Sequence, residues 1–211
     1  MRIGVYGGTF DPVHLGHLLL AESCREQCRL DRVIFIPAGV PPHKQGRELT
    51  AGPLRAEMLE LAIAGHAEFS VDRSEIKRSG PSYTVETLRG LRQDCPDDEL
   101  FFLMGTDSLA EFSLWKEPRE IASLASLIVV NRGPHARLEL ESLIPLLGAE
   151  SVARLTQVTM PGIDISASEI RRRAHAGLSL RYLVPRAVDR FIIEHRVYAS
   201  VADDLTTRPI R

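Results

Sequence analysis

The sequence predicts an α/β fold: a doubly wound parallel sheet with helices on both faces and a small helical extension at its C-terminal end. Two observations carry this. Short apolar runs alternate with amphipathic stretches, the pattern of βα units in a parallel sheet. Small or polar residues follow three of the strand candidates, where such sheets bind ligands beyond their carboxyl ends. These are Gly7-Gly8, Gly105-Thr106-Asp107 and Ile165-Ser166, and their convergence is an expectation from topology.

Each element has a local reason. Ile3-Gly4-Val5-Tyr6 reads as the first buried strand. Gly7 and Gly8 then let the backbone pass close to a ligand. Asp11 is placed to cap a helix, with Pro12 as its first residue. His14 and His17 follow three apart, so a helix puts both imidazoles on one face near its positive end. Strand, glycine turn, helix start and paired histidines together describe a phosphate site. A capped structural helix with solvated histidines does not explain the glycines before it.

Residues 33–37 (VIFIP) form the second strand candidate, followed by a Pro-, Gly-, His- and Lys-rich loop over 38–51. Pro53 then starts a helix with apolar positions at Leu54, Met58, Leu61 and Ala62, closed by Gly65. A short strand over 69–71, a loop over 78–81 and a helix over 83–92 come next. Residues 100–104 (LFFLM) and 127–130 (LIVV) are buried-strand candidates, and 152–160 holds a last strand. Ser166 or Ser168 can cap a further helix, with Glu169 completing a capping box. Exposed N–H groups there, a hydroxyl and Arg171 can grip a triphosphate. Pro185 starts a final helix with Val188, Phe191, Ile192 and His195 on one side. A single domain is expected over 1–200, its helical part from about 166, with a disordered tail over 201–211.

The 211 residues suffice for one α/β domain with a substantial core. With 26 basic and 28 acidic residues the net charge is −2, which argues against a general nucleic-acid or membrane partner. No apolar run reaches membrane-spanning length, and no secretory leader is expected. Cys24 and Cys28 share a helical face, but no second Cys/His pair stands at zinc-ligand spacing. Together with Cys95 they are expected to be reduced thiols in a cytoplasmic protein. Homo-oligomerisation is left open.

Residues 7–17 (GGTFDPVHLGH) resemble the T/GGTFDPxHxGH signature of the nucleotidyltransferase superfamily. Residues 165–171 (ISASEIR) resemble its ISSTxIR motif, with Ala167 replacing the usual second serine. Residues 82–88 (SYTVETL) resemble a segment of the bacterial nicotinate-nucleotide adenylyltransferases, as do the endings 181–185 and 195–198. The resemblance covers about residues 2–198. It implies a Rossmann-like sheet and transfer of AMP from ATP to nicotinate mononucleotide, giving nicotinate adenine dinucleotide and pyrophosphate in NAD biosynthesis.

The resemblance also implies residue roles. His14 and His17 would donate hydrogen bonds to the triphosphate, and Arg171 and Ser166 would hold its β- and γ-phosphates. Gly7, Gly8, Thr9, Phe10, Gly105, Ile165 and Ser168 would line the ATP site, with Asp107 near the adenosine or ribose hydroxyls. In the loop Pro41-Pro42-His43-Lys44, Lys44 would bridge to the acceptor phosphate, with His43 second. Tyr83, Thr84 and neighbouring amides would recognise the ring carboxylate, and Trp115 would stack on the pyridine ring. Mg²⁺ is expected to travel with ATP, since no carboxylate cage is visible, and Asp11 is expected to be a helix cap rather than a metal ligand. The acceptor's phosphate oxygen is already an ionised nucleophile, so catalysis reduces to placing phosphates in line and neutralising charge. The rivals are adenylyl transfer to nicotinamide mononucleotide or phosphopantetheine, a cytidylyltransferase, and a nucleotide-binding sensor without turnover.

Overall fold

The computed structural model describes residues 1–42, 49–132 and 143–199. Within them six parallel strands run in the order β3-β2-β1-β4-β5-β6. They are β1 (Arg2–Gly8), β2 (Arg32–Pro37), β3 (Phe69–Val71), β4 (Glu99–Gly105), β5 (Ser126–Arg132) and β6 (Thr156–Met160). The helices are α1 (Leu15–Gln27), α2 (Gly52–Ile63), α3 (Ser74–Lys77), α4 (Thr84–Asp94), α5 (Thr106–Ala110) and α6 (Pro118–Leu124). They continue with α7 (Ile144–Leu147), α8 (Ala149–Ala153), α9 (Ala167–His175) and α10 (Arg186–Glu194).

Strand alternation divides the core into two layers. Tyr6, Val33, Phe35, Phe101, Leu103, Ile128 and Val130 face α1, α2, α9 and α10. Ile3, Val5, Ile34, Ile36, Phe102, Met104, Leu127 and Val129 face α4, α5, α6, α7 and α8. Helices therefore cover both faces, as the alternation of apolar runs predicts. The last strand is shorter than the apolar pattern suggested, because Val152 belongs to α8 and only Thr156–Met160 pairs with β5. His195 lies past the end of α10 as its exposed C-cap, its ring 4.2 Å from that of Phe191. The expected tail over 201–211 lies outside the described residues.

The strand order reverses direction at β1 and β4, and the crevice outside their carboxyl ends is where such sheets take ligands. Val5 sits opposite Phe102 in this pairing. Gly8 and Gly105, each three residues further along, therefore leave the sheet at the same edge. Gly4 shows how tightly β1 is packed. A Cβ there would lie 2.8 Å from Leu30 Cδ1, 3.1 Å from Val33 Cγ2 and 3.2 Å from Leu103 Cδ1. Gly4→Ala is expected to destabilise the fold by about 1–3 kcal/mol through overpacking. Urea unfolding checks this; an unchanged midpoint would show that the layer yields.

Candidate active site

The turn after β1 departs from its expected form. Asp11 does not cap α1, and Pro12 is not its first residue. The helix starts at Leu15, with His14 as N-cap in extended backbone (φ −144°, ψ 170°). Asp11 lies earlier, in a turn whose Asp11–Pro12 peptide is cis. The reason is that its carboxylate has other partners. Tyr198 donates its hydroxyl to Oδ1 at 2.6 Å, and the Thr50 amide donates to Oδ2 at 3.3 Å.

Moving the helix start places both histidines at its positive end. Their rings stack, with centroids 3.7 Å apart and planes 25° apart. The His14 amide donates to His17 Nδ1 at 3.2 Å. A nitrogen that accepts an N–H cannot carry a proton, so His17 holds its proton on Nε2 and is a neutral donor. The ring also packs edge-on against Phe10, centroids 5.1 Å apart, and lies 6.2 Å from Tyr6. Gly16 makes room for this pair, because a Cβ there would press on the His14 ring at 3.1 Å. Part of the α1 terminus is already occupied: the Leu15 amide donates to the Leu183 carbonyl at 3.0 Å and the His17 amide to the His14 carbonyl at 2.9 Å.

α9 reaches the same turn. Ser166 is its N-cap, and its Oγ accepts the Glu169 amide at 3.2 Å. Only half of the expected capping box forms, because the Glu169 carboxylate is drawn to Arg172 by two bonds of 2.7 Å. Arg171, one turn into the helix, donates Nη1–H to the Asp11 carbonyl at 2.6 Å. The two motifs at opposite ends of the chain therefore meet.

A buried arginine that the apolar pattern did not announce holds this turn in place. Arg55 of α2 is 1 % exposed. Its Nη1 donates to Thr9 O at 2.6 Å, Nε to Thr50 O at 2.8 Å, and Nη2 to Ala38 O at 2.7 Å and Gly39 O at 3.3 Å. It thereby joins the turns after β1 and β2 to the start of α2. Burial lowers its pKa from the ordinary value. Its spacing of four and eight residues from the buried Leu59 and Ile63 is the signal that could have marked it as core-facing.

A second network lines the other side. Ser82 Oγ accepts the amides of Gly39 and Val40 at 2.9 and 3.3 Å. The Ser82 hydroxyl and that of Thr87 both donate to buried Glu75. Burial is the main reason the Glu75 carboxyl is pushed above its usual range. A Cβ on Gly39 would overlap the Glu75 carbonyl, so the loop after β2 lies flat on α3. Tyr83 is the N-cap of α4 and Thr84 its first residue. Lys116 Nζ sits 4.4 Å from the Tyr83 ring centroid and pairs with Glu86 at 2.8 Å. Half-buried Trp115 packs 5.3 Å from Phe112 and 5.9 Å from Phe102, which itself borders Gly7.

Similar proteins bear on identity. A probable nicotinate-nucleotide adenylyltransferase from Thermomicrobium roseum is 44 % identical over 200 residues, covering 95 % of this chain and 92 % of that protein. Its counterpart from Thermus thermophilus is 44 % identical over 198 residues, covering 94 % and 100 %. The chain belongs to the nicotinate-nucleotide adenylyltransferase family. The cytidylyltransferase-like family model matches residues 5–173. A nicotinic acid mononucleotide adenylyltransferase of Plasmodium falciparum, solved in complex with NaAD, superposes with a TM-score of 0.75 over 93 % of this chain and 97 % of its own. At 18 % identity it supports the Rossmann-like fold alone.

The candidates from the sequence fall in different parts of this fold. Arg171 reaches the Asp11 carbonyl in the turn that leads to the stacked His14 and His17, and Arg55 holds the Thr9 carbonyl of the same turn. Gly7, Gly8 and Gly105 end neighbouring strands, and exposed Asp107 opens the short α5. Phe10 and Ile165 are core residues, 2 % and 9 % exposed, so Phe10 supports the His17 ring from below. Ser168 is exposed on the first turn of α9. His43 and Lys44 lie outside the described residues. Among the described residues no group of three or more His, Cys, Asp or Glu could hold a metal ion, and no helix is long and apolar enough to cross a membrane. The donors gathered here are N–H and O–H groups, which suit phosphate oxygens.

Proposed function

We propose that this chain transfers AMP from ATP to nicotinate mononucleotide, forming nicotinate adenine dinucleotide and releasing pyrophosphate. The acceptor phosphate oxygen attacks the α-phosphorus, that new P–O bond forms, and the bond to the β-phosphate oxygen breaks. The observation that supports the reading is the Arg171–Asp11 contact, which joins the two motif segments from opposite ends of the chain. The curated relatives supply the acceptor by name.

In this reading His17 donates Nε2–H to a phosphate oxygen as charge develops, and His14 braces it. Arg171 and Ser166 take the β- and γ-phosphates. Lys44 takes the acceptor phosphate, on sequence grounds alone. Asp107 serves the nucleoside hydroxyls. Mg²⁺ enters as part of the ATP substrate, held by phosphate oxygens. No protein base is required, because the nucleophile is already ionised. Thr84 and the amides opening α4 bind the ring carboxylate, and Trp115 stacks on the ring.

A coupled pyrophosphate assay with nicotinate mononucleotide, nicotinamide mononucleotide and phosphopantetheine, side by side, tests the proposal. Fastest release with the acid supports it. Preference for either of the others assigns the chain a different acceptor, and ATP binding without release makes it a sensor. Trp115→Ala is expected to raise KM for the pyridine nucleotide about two- to tenfold, the value of an aromatic stack. KM for ATP should stay within about twofold of the parent. Equal changes in both constants would remove Trp115 from the acceptor site.

A further inference from the structure

The carboxylate of Asp11 is the point where three distant parts of the chain meet. It is 2 % exposed, so each of its oxygens must find a protein partner. Tyr198, 187 residues away, supplies the short bond of 2.6 Å. The Thr50 amide supplies the longer one, and Arg55 anchors the Thr50 carbonyl behind it. The carbonyl of Asp11 itself receives Arg171. Tyr198 and Thr50 pin the side chain and so help fix the turn that carries it, and a shift of the Asp11 backbone moves the carbonyl on which Arg171 rests.

Tyr198 is set up for this role at a cost. Its backbone lies in the left-handed region (φ +69°), which bulky side chains rarely adopt. Such a conformation persists where the surroundings over-determine it. Here the Val197 amide is fixed to the Ile192 carbonyl at 3.0 Å, and the Tyr198 ring packs against the α1–α2–α9–α10 core layer. Burial, with the Asp11 charge next to it, raises the Tyr198 pKa well above its ordinary value, so the hydroxyl stays a donor throughout the neutral range. Phe10, just before Asp11, is also left-handed (φ +49°). Strained backbone thus stands on both sides of the one hydrogen bond.

The geometry points to Tyr198 as a positioning residue for the phosphate site: its hydroxyl holds Asp11 so that Arg171 is aimed at the triphosphate. Tyr198 touches no reacting atom and acts through Asp11 and Arg171. The inference rests on the proposed role of Arg171 in binding ATP, and not on the identity of the acceptor.

The test uses Tyr198→Phe in the full chain, which keeps the ring and removes only the hydroxyl. Binding of a non-hydrolysable ATP analogue is measured by titration calorimetry, next to steady-state KM for ATP and for nicotinate mononucleotide. Expected is an analogue affinity about tenfold weaker, as for one member of a coupled hydrogen-bond network, with KM for the acceptor within about twofold. In an Arg171→Ala background the same substitution should add no further loss. A lowered melting temperature with both substrates affected equally would make Tyr198 merely structural and overturn the proposal. Additive losses in the double variant would overturn it as well, since Tyr198 would then not act through Arg171. Because analogue binding needs no turnover, the outcome stands whichever acceptor the pyrophosphate assay selects. Should Arg171→Ala alone leave analogue binding unchanged, the phosphate role of Arg171 fails first, and the inference with it.

Discussion

His17→Ala is expected to lower kcat about 10²–10³-fold, the usual loss for one preorganised donor to a developing oxyanion. The expectation rests on how completely the ring is held. Its Nδ1 accepts the His14 amide, its face stacks on the His14 ring, and its edge meets Phe10. Orientation and tautomer are thus settled before ATP arrives, and no reorganisation remains for the moment of reaction. The cost of the substitution should therefore appear in kcat more than in KM, because the interaction strengthens only as charge builds. The ring is half-buried and lies over the core rather than within it, so the melting temperature should move little. Steady-state pyrophosphate release, with a thermal scan of the same sample, checks both halves. Full turnover by the alanine variant would remove His17 from the chemistry.

Arg55→Ala should produce the largest loss of stability. Its guanidinium serves four carbonyl oxygens from three separate stretches of chain. Charge-assisted hydrogen bonds are worth about 1.5–3 kcal/mol each. Even two of them set the loss at about 3 kcal/mol, and the abandoned carbonyls add their own desolvation cost. In a domain of this size that corresponds to a melting temperature lower by about 6–12 °C. Arg55→Lys should recover only part of this, because an ammonium on a flexible stem cannot reproduce the planar fork that spans Thr9, Thr50 and Ala38. Differential scanning calorimetry of the three proteins decides it. A lysine variant as stable as the parent would show that charge alone, and not the fork, holds the turns together.

The sheet was legible because its signals are local. Apolar runs such as 100–104 carry their burial in composition, and their even spacing along the chain leaves few topologies open. The two motif segments were legible for the same reason: glycines, imidazoles and a capping serine each stand within short, ordered stretches of chain. The helix start at Leu15 was not. Asp11-Pro12 is a strong local start signal, yet Tyr198 and Thr50 claim the carboxylate, and the cap passes to His14. Glu169 failed to complete its box by the same kind of competition, since Arg172 one turn away offers it a full charge. Arg55 escaped because an arginine in a helix is ordinarily a solvated residue, and only its four carbonyl partners mark it otherwise.

Local chemistry along the chain was enough to determine the layered parallel sheet, the glycine turn after β1 and the two motif segments over 7–17 and 165–171. Each depends on groups close together in sequence, whose preferences are set by backbone sterics and apolar period. Folding alone decided that Arg171 rests on Asp11, that Tyr198 grips the same residue, and that Arg55 unites the surrounding turns. Those contacts join stretches far apart along the chain, and no local preference encodes which buried donor will reach which acceptor first.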